Sequence, residues 1–270
     1  MLTAFFFSSK DFMIKAVFFD IDGTLASFNT HKISPMTREA IAILKSKGIK
    51  VFIASGRSAF ELQILDNIQF DGYIILNGSH CFTSSGKDIY KHPISKEDIS
   101  RLVDWLKNDP TPFLFVHSAG QFINRINDEV KQIAKLVEVA VPIVMPIEHA
   151  LDKDIFQLSG YFAEGEKDDL FIDILTQCEQ ARWCPYFTDI IAKGNNKSNG
   201  IQHILDFYNI DISETMAFGD GGNDISMLKY VSIGIAMGNA SEEVKAAADY
   251  VTKSVDDEGI YQALKHFNLL

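Results

Sequence analysis

The sequence contains few cysteines, and their spacing does not suggest a shared site. Three cysteines occur in 270 residues, Cys81, Cys178 and Cys184, and none forms a C-x-x-C pair. An odd number without that spacing argues against a disulfide framework and against a zinc site. A reducing compartment fits this composition, so we predict a cytoplasmic protein.

A long apolar run is also missing. Residues 1–7 are apolar but too short to span a bilayer, and they lack the basic start and small-residue cleavage site of a signal peptide. Met13 directly precedes the first predicted strand and is a candidate start, so residues 1–12 are expected to be a poorly ordered extension. We therefore expect no membrane partner.

Positive charge is in short supply. The chain has 25 Lys and Arg against 36 Asp and Glu, a net charge of −11. Proteins that bind nucleic acids need a basic stripe to neutralise the phosphates, so we expect no nucleic-acid partner. A small phosphorylated ligand needs only a few local donors and is compatible with this charge. We expect a monomer or a small homo-oligomer.

What the chain does contain is a pair of aspartates directly after a predicted buried strand. The apolar run 14–19 ends in Asp20 and Asp22, followed by Gly23. Side chains at i and i+2 point the same way as the chain leaves a strand, towards the crevice where open α/β sheets bind ligands. Two carboxylates this close repel unless a cation or a shared proton compensates, so the pair predicts a metal. The alternative is a solvated Asx–Gly turn that closes the strand.

Strands and helices alternate on both sides of a segment with a different pattern. The outer parts, with strands near 49–54, 73–76, 215–219, 232–237 and 250–252, indicate an α/β fold with a doubly wound parallel sheet. In between, a hairpin at 82–90 and helices at 95–107, 128–138 and 166–178 are mixed with strands. Hydrophobic residues make up 47% of the chain, enough for a full core in each part. We predict a Rossmann-like core of residues 1–81 and 188–270 with an inserted α+β domain at 82–187.

Polar residues follow several of the predicted core strands or begin a helix after one. A parallel sheet gathers such positions into one crevice. Their chemistry fits phosphoryl transfer, which needs a carboxylate nucleophile, a hydroxyl donor, a cation for the phosphate and hard oxygen ligands for Mg²⁺. The residues are Asp20, Asp22, Ser55, Lys197, Asp220 and Asp224.

The order of these motifs resembles the haloacid dehalogenase superfamily. D-x-D-G-T, a strand-terminal S-G-R, a lysine before a helix and G-D-G-G-N-D occur in that order. The long insertion between the second and third motifs is similar to the cap of the Cof-type (subclass IIB) sugar-phosphate phosphatases. The resemblance covers the chain from Met13 to its C-terminus.

The resemblance implies a role for each catalytic candidate. Asp20 would attack phosphorus and become an aspartyl phosphate. Asp22 would protonate the leaving alkoxide and then activate the water that hydrolyses the intermediate. Ser55 would bind a phosphoryl oxygen, and Lys197 would neutralise the phosphoryl group and hold Asp20.

The resemblance also implies a Mg²⁺ site and a set of substrate contacts. The ion would be held by the Asp20 carboxylate, the Asp22 backbone carbonyl and Asp220, with Asp224 orienting a ligand or binding through water. The candidate substrate-binding residues are Ser55, Gly56, Arg57, Asn77, Arg182, Lys197 and Asn223.

Several of these residues have a plain structural alternative. Lys193 competes with Lys197 as the third-motif lysine. Arg57 is as readily a structural anchor, and Asn77 a simple turn residue. Arg182 with its neighbouring tryptophan is equally readily part of a hydrophobic hinge. Cys81 is interpreted as a small core residue rather than a nucleophile.

The functional hypothesis that follows is a Mg²⁺-dependent phosphatase for small phosphorylated metabolites, most of all hexose or pentose phosphates. A second hypothesis within the same chemistry is a phosphatase for a flavin precursor, FMN or pyridoxal phosphate. Mutases with a helical cap between the first two motifs fit less well, because only a helix-sized segment separates Asp22 from Ser55. A third hypothesis, from a different class, is a silent sensor of a phosphorylated metabolite.

Overall fold

A computed structural model describes residues 13–136, 140–167 and 169–270. The predicted extension at 1–12 lies outside the described residues, and so do the side chains at 136 and 181–184. Among the described residues, no helix is both long enough and apolar enough to cross a bilayer.

The strands alternate with helices at both ends of the chain and cluster in its middle. The helices are α1 Pro35–Ser46, α2 Lys96–Leu106, α3 Asp128–Leu136, α4 Lys197–Tyr208, α5 Ile225–Tyr230, α6 Glu242–Ala246 and α7 Gly259–His266. The strands are β1 Ala16–Phe19, β2 Lys50–Ala54, β3 Gly72–Ile75, β4 His80–Thr83, β5 Asp88–Lys91, β6 Phe113–His117, β7 Gly120–Ile123, β8 Ile155–Gly160, β9 Cys178–Cys184, β10 Phe187–Ala192, β11 Thr215–Gly219, β12 Ile233–Ala236 and β13 Tyr250–Val251.

The residues group into two compact units. The first consists of Met1–Ile53, Ile68–Gly72 and Ile204–Leu270, and the second of Ala54–Asn67 and Tyr73–His203. The predicted domain division at 81/82 and 187/188 stays a prediction.

The first unit is organised around β1. Its strands run parallel in the order β13-β12-β11-β1-β2, which confirms the predicted parallel sheet. All four residues of β1 are buried, as expected for a strand covered on both faces. Phe18 stacks on Phe52 at 5.0 Å, and Phe19 stacks on Phe218 at 5.2 Å. These aromatic pairs fix the register in which β1 delivers the residues that follow it.

The helix after the first strand begins and ends as its sequence predicts. The Ser34 side chain accepts a hydrogen bond from the Thr37 amide, and Pro35 occupies the first helical position of α1. Gly48, just beyond the end of α1, has φ +77°. This left-handed conformation ends the helix and turns the chain into β2.

The second unit contains a five-stranded antiparallel sheet in the order β7-β6-β8-β10-β9. A predicted hairpin is confirmed as the antiparallel pair β4–β5. The apolar face of α2 contributes four fully or almost fully buried side chains to the main core of this unit: Ile99, Leu102, Val103 and Leu106.

The helix predicted at 166–178 is wrong. One π-helical turn spans Leu170–Ile174, and the strand β9 begins at Cys178. The carboxylate of Asp98, which is fully buried, accepts the Gln177 amide at 2.9 Å, and β9 pairs with β10 from Cys178 onward. The bond to Asp98 takes the Gln177 donor that a continuing helix would need, and the pairing with β10 makes the following residues a strand.

Candidate active site

The first acidic segment, which carries Asp20 and Asp22, begins where β1 ends. The Asp20 amide donates to the Phe218 carbonyl at 3.0 Å, so the ladder with β11 continues to this residue, and the side chain is 6% exposed. The chain then folds back, with the Ala26 amide donating to the Ile21 carbonyl at 2.8 Å. Gly23 in this turn has φ +79°, and a Cβ there would lie 2.2 Å from Asp220 Oδ2. Only glycine lets the turn approach the second acidic segment so closely.

The second acidic segment follows β11 and is shaped by Asp224. The Asp224 side chain is fully buried, and its Oδ2 accepts the amides of Asp220 at 2.9 Å and Gly221 at 2.8 Å. A Cβ at Gly219 would lie 2.5 Å from Asp224 Cβ, so the carboxylate sits directly against the strand end. Asp224 thus accepts hydrogen bonds from these two backbone amides and fixes the loop that carries Asp220.

Three carboxylates, those of Asp20, Asp220 and Asp224, converge between these segments, and we call them the acidic group. One oxygen from each of Asp20, Asp220 and Asp224 lies within 4.8 Å of the other two. Three like charges at this distance repel strongly unless a cation or a proton compensates. Oxygen donors of this kind are the ligands that Mg²⁺ prefers, so the residues present fit a Mg²⁺ site.

The two oxygens of Asp220 are each oriented by a neighbouring side chain. Thr24 Oγ1 donates to Asp220 Oδ1 at 2.7 Å, and Asn239 Nδ2 donates to Asp220 Oδ2 at 3.1 Å. Such hydrogen bonds hold a ligand carboxylate in one orientation and tune its affinity for a metal.

Two of the predicted residues in this unit lie beside the three carboxylates without joining them. Asp22 is half-buried in the turn after Asp20, and its carboxylate is outside the acidic group found among the described residues. A ligand role for Asp22 stays a prediction. Asn223 is exposed in the loop between Asp220 and Asp224, and its substrate contact likewise stays a prediction.

Asn239 is a site residue that the sequence reasoning missed. Its Nδ2 also donates to the Gly23 carbonyl at 2.9 Å, and its Oδ1 accepts the Val255 amide at 2.9 Å. Asn239 follows the carboxyl end of β12 by a few residues. The rule that polar residues after parallel strands face the crevice, applied to every core strand, would have found it.

Ser55, Arg57 and Asn77 come together in the second unit. The Ser55 side chain is buried, its Oγ accepts the Arg57 amide at 3.1 Å, and its carbonyl accepts the Asn77 amide at 3.1 Å. Arg57 Nη1 donates to the Glu61 carbonyl at 3.2 Å. This bond favours the anchoring interpretation of Arg57. Gly56, between Ser55 and Arg57, is half-buried.

The loop at Asn77 lies against the start of α4. Asn77 has φ +53° and Gly78 has φ +95°, and a Cβ at Gly78 would lie 2.1 Å from the Asn196 carbonyl oxygen. Glycine is therefore required for the loop to approach the helix start. Lys197, the first residue of α4, is fully buried.

The two candidate lysines differ sharply in environment. Lys193 is exposed, and its Nζ donates to the Thr176 carbonyl at 2.8 Å. Lys197 is fully buried, and a lysine is almost never buried unless it is paired. This contrast favours Lys197 as the functional lysine.

A second missed residue, Asn195, ties the segment before α4 to two others. Its Nδ2 donates to Ser79 Oγ at 2.9 Å and to the His92 carbonyl at 3.1 Å, and its Oδ1 pairs with His92 Nδ1 at 2.9 Å. With 3% exposure, Asn195 is buried and uses both ends of its amide. It fixes the turn that precedes Lys197.

Two candidates remain, Cys81 and Arg182. Cys81 is fully buried, and burial raises the pKa of its thiol to about 12, so it is a core residue and not a nucleophile at neutral pH. Arg182 falls on a side chain outside the described residues, and its substrate contact stays a prediction.

Comparison with known sequences places this site in a family context. The profile of the haloacid dehalogenase-like hydrolases matches residues 17–264. YkrA of Bacillus subtilis, named as a candidate phosphatase, is 34% identical over 262 residues, which cover 95% of this chain and 98% of that protein. YbjI of Escherichia coli, named 5-amino-6-(5-phospho-D-ribitylamino)uracil phosphatase, is 27% identical over 276 residues, covering 94% and 97%.

The solved structures to which this chain is similar also include phosphatases of this superfamily. BT1666 from Bacteroides thetaiotaomicron, described among phosphatases of the HAD superfamily, is 40% identical with a TM-score of 0.89, covering 99% of this chain and all of that one. BT4131, described as a sugar phosphatase of HAD subclass IIB, is 41% identical with a TM-score of 0.79, covering 95% of this chain and all of that one.

Proposed function

We propose that this chain, which belongs to the haloacid dehalogenase-like hydrolases and is a phosphatase of that family, hydrolyses small sugar phosphates with the help of Mg²⁺. The observation that carries the metal part is the convergence of Asp20, Asp220 and Asp224 within 4.8 Å. The substrate part is supported by the 41% identity to BT4131, which is described as a sugar phosphatase.

In the proposed reaction, Asp20 is the nucleophile. A carboxylate oxygen forms a bond to phosphorus, and the bond between phosphorus and the sugar oxygen breaks. Asp22 gives its proton to the departing oxygen and then accepts a proton from the water that attacks the aspartyl phosphate. The second attack releases inorganic phosphate and returns the Asp20 carboxylate.

The anionic nucleophile and the anionic substrate repel each other, so the reaction needs local positive charge. Asp20 and Asp220 would hold Mg²⁺, with Asp224 fixing the loop that carries Asp220, and the bound ion would supply part of that charge. Lys197 supplies the rest, and the Ser55 hydroxyl donates to a phosphoryl oxygen. These roles for Lys197 and Ser55 are part of the proposal.

A second candidate substrate class is a phosphorylated flavin precursor. YbjI carries such an activity in its name, at 27% identity over nearly the whole chain. Both classes present a phosphate on a polyhydroxylated carbon chain or ring, so a single assay can compare them.

The test is phosphate release from hexose 6-phosphates, pentose 5-phosphates, FMN, pyridoxal phosphate and an aryl phosphate, each with Mg²⁺ or with EDTA. We expect Mg²⁺-dependent turnover that favours sugar phosphates. Asp20→Asn should reduce kcat at least about a thousandfold, because an amide is not a nucleophile here.

Asp128→Asn is the matched control, because Asp128 is an exposed aspartate paired with Lys131 and should leave the activity intact. Highest kcat/KM on a flavin-type substrate would move the assignment to the second class. Binding of sugar phosphates without any turnover would support the sensor hypothesis and contradict the proposed function.

A further inference from the structure

Phe28 is an exposed aromatic residue in a tightly bonded loop of the first unit. Its side chain is 60% exposed. The loop is closed by hydrogen bonds from the His31 amide to the Ser27 carbonyl at 2.8 Å and from the Ser27 amide to the Lys32 carbonyl at 3.3 Å. A single exposed aromatic is common on protein surfaces, so its exposure alone implies no function.

The loop is also held by side chains on both sides of Phe28. Ser27 Oγ accepts the amides of Asn29 at 3.0 Å and Thr30 at 3.3 Å, and Asn29 Nδ2 donates to Asp256 Oδ2 at 2.7 Å. The backbone that presents Phe28 is therefore ordered before any ligand arrives, and little conformational entropy is left to lose on binding.

The position of the ring is what distinguishes Phe28. A Cβ built on Gly23 would lie 2.4 Å from Phe28 Cε2 and 2.2 Å from Asp220 Oδ2. The edge of the ring and the carboxylate thus meet over the same point of the backbone. Asp220 belongs to the acidic group, so the ring lies at the border of the proposed metal and phosphate site.

We propose that Phe28 is a specificity-determining residue that packs against the ring of the leaving group in a bound phosphate ester. This inference rests on the proposed function, because it takes the phosphate to be bound at the acidic group. An ester whose phosphate lies there extends its leaving group from the border of the site. The apolar face of a sugar ring or an aromatic ring then removes exposed apolar surface of Phe28 from water.

The chemistry around the ring explains why a contact of this kind is useful. Cations and hydrogen-bond donors recognise the phosphate, which every substrate carries, and cannot distinguish one leaving group from another. A contact with an apolar face depends on the size of the leaving group. Contacts of this kind usually discriminate by about tenfold to a hundredfold.

The test compares three probes that share the phosphate, two with a ring in the leaving group and one without. p-Nitrophenyl phosphate and glucose 6-phosphate carry a ring, while acetyl phosphate carries none. For Phe28→Ala we expect kcat/KM to fall about tenfold with the ringed probes, mainly through KM, and to stay within about twofold with acetyl phosphate. Phe28→Tyr keeps the ring and should have kcat/KM values close to those of the wild type.

Phe207→Ala is the matched control, since Phe207 is also a partly exposed phenylalanine of the first unit, 43% exposed, on α4. It should not change the ratio between ringed and ringless probes. An equal loss with all probes would mean that Phe28 only supports the loop, and no loss with any probe would mean that another surface covers the ring. Either result overturns the inference.

The wild-type protein separates this inference from the proposed function. Mg²⁺-dependent turnover of acetyl phosphate supports a phosphatase whatever Phe28 does. If the wild type hydrolyses none of the probes, the proposed function itself fails, and the role of Phe28 fails with it.

Discussion

Asn239, like Thr24, connects the two acidic segments of the first unit. It donates to the Gly23 carbonyl and to Asp220 Oδ2, and it accepts the Val255 amide. This amide group, together with the Thr24 hydroxyl, therefore holds the turn after Asp20 beside the carboxylate of Asp220. Its effect on a metal would be indirect, through the orientation of Asp220.

We predict that Asn239→Ala weakens Mg²⁺ binding about tenfold to a hundredfold, because Asp220 loses a donor that orients its Oδ2. The dissociation constant measured by calorimetric titration with Mg²⁺ checks this. Asn108→Ala, at an exposed asparagine, is the control and should bind Mg²⁺ like the wild type. Equal dissociation constants for Asn239→Ala and the wild type would contradict the positioning role.

His80 is a buried histidine whose two ring nitrogens have different environments. Its Nε2 pairs with Asp88 Oδ1 at 2.7 Å, and the ring stacks on Phe156 at 5.4 Å. Among the described residues, its buried Nδ1 has no hydrogen-bond partner. Burial lowers the pKa of His80 below its usual value near 6.5, although Asp88 partly opposes the change.

A lowered pKa in the folded state makes stability depend on pH in one direction. Above pH 6.5 the imidazole is neutral in both states, and the stability is fully present. As the pH falls below 6.5, the unfolded chain takes up the proton more readily, so the free energy of unfolding decreases until the folded pKa is passed.

We predict that His80→Phe flattens the loss of stability between pH 7.5 and pH 5.5, because phenylalanine keeps the stacking and does not titrate. Urea unfolding at the two pH values measures it. His31→Asn is the control, since His31 is exposed with φ +52°, a conformation that asparagine accepts. If His80→Phe shows the same pH dependence as the wild type, another group is responsible.

At the scale of elements, the contact between the Asn77 loop and the start of α4 depends on a missing side chain. Gly78 approaches the Asn196 carbonyl so closely that a Cβ would lie 2.1 Å from its oxygen. The Gly200 amide donates to the same carbonyl at 3.2 Å, inside the first turn of α4. The loop and the helix therefore pack backbone against backbone.

We predict that Gly78→Ala lowers the free energy of unfolding by about 3 kcal/mol or more, since it adds a steric clash to the strain of a positive φ. Gly86→Ala is the matched control. Gly86 also has a positive φ, +81°, but no heavy atom of the described chain lies within 4 Å of its Cβ position. It should cost only about 1 kcal/mol, and urea unfolding of both variants distinguishes strain from clash.

The elements that the sequence predicted best are those whose signals are local. Ser34, Pro35 and Gly48 mark both ends of α1, and the apolar run before Asp20 marks β1. The helix expected at 166–178 failed because its signal was local and the deciding interactions were distant. The Asp98 carboxylate lies 79 residues before Gln177 in the sequence, and β9 pairs with β10 from Cys178, where the helix was expected to end.

The same division holds for the site. Asp20, Asp220 and Asp224 were predicted because each follows a core strand, and the structure brings these three together. Asn195 and Asn239 were missed because an asparagine in a loop is ordinarily a turn residue. Their function depends on partners 103 and 216 residues away, which no local pattern reveals.

At the scale of the whole molecule, the acidic group would couple folding to binding of the proposed metal ion. The unfolded chain does not hold the three carboxylates together, so an ion bound by them stabilises only the folded state. Without an ion, their mutual repulsion lowers the stability of the folded state.

We predict that Mg²⁺ at a hundred times its dissociation constant stabilises the protein by about 2.7 kcal/mol, which corresponds to a rise of about 5–10 °C in Tm. Thermal unfolding with and without EDTA measures the shift. Asp220→Asn should abolish most of it, whereas Asp128→Asn should keep it. A Tm that is independent of Mg²⁺ in the wild type would mean that these carboxylates hold no ion.

The buried thiols of the second unit have a practical consequence. Cys81 and Cys178 are both buried, and burial raises the pKa of each thiol, so neither presents a reactive thiolate at neutral pH. An alkylating reagent can reach them only during transient opening of the structure around them. Cys81 packs beside α4, with its Sγ 3.7 Å from the Gly200 carbonyl, while Cys178 begins β9. Among the side chains that the structure describes, these two thiols are thus natural reporters of local opening, one beside the helix that starts at Lys197 and one in the five-stranded sheet.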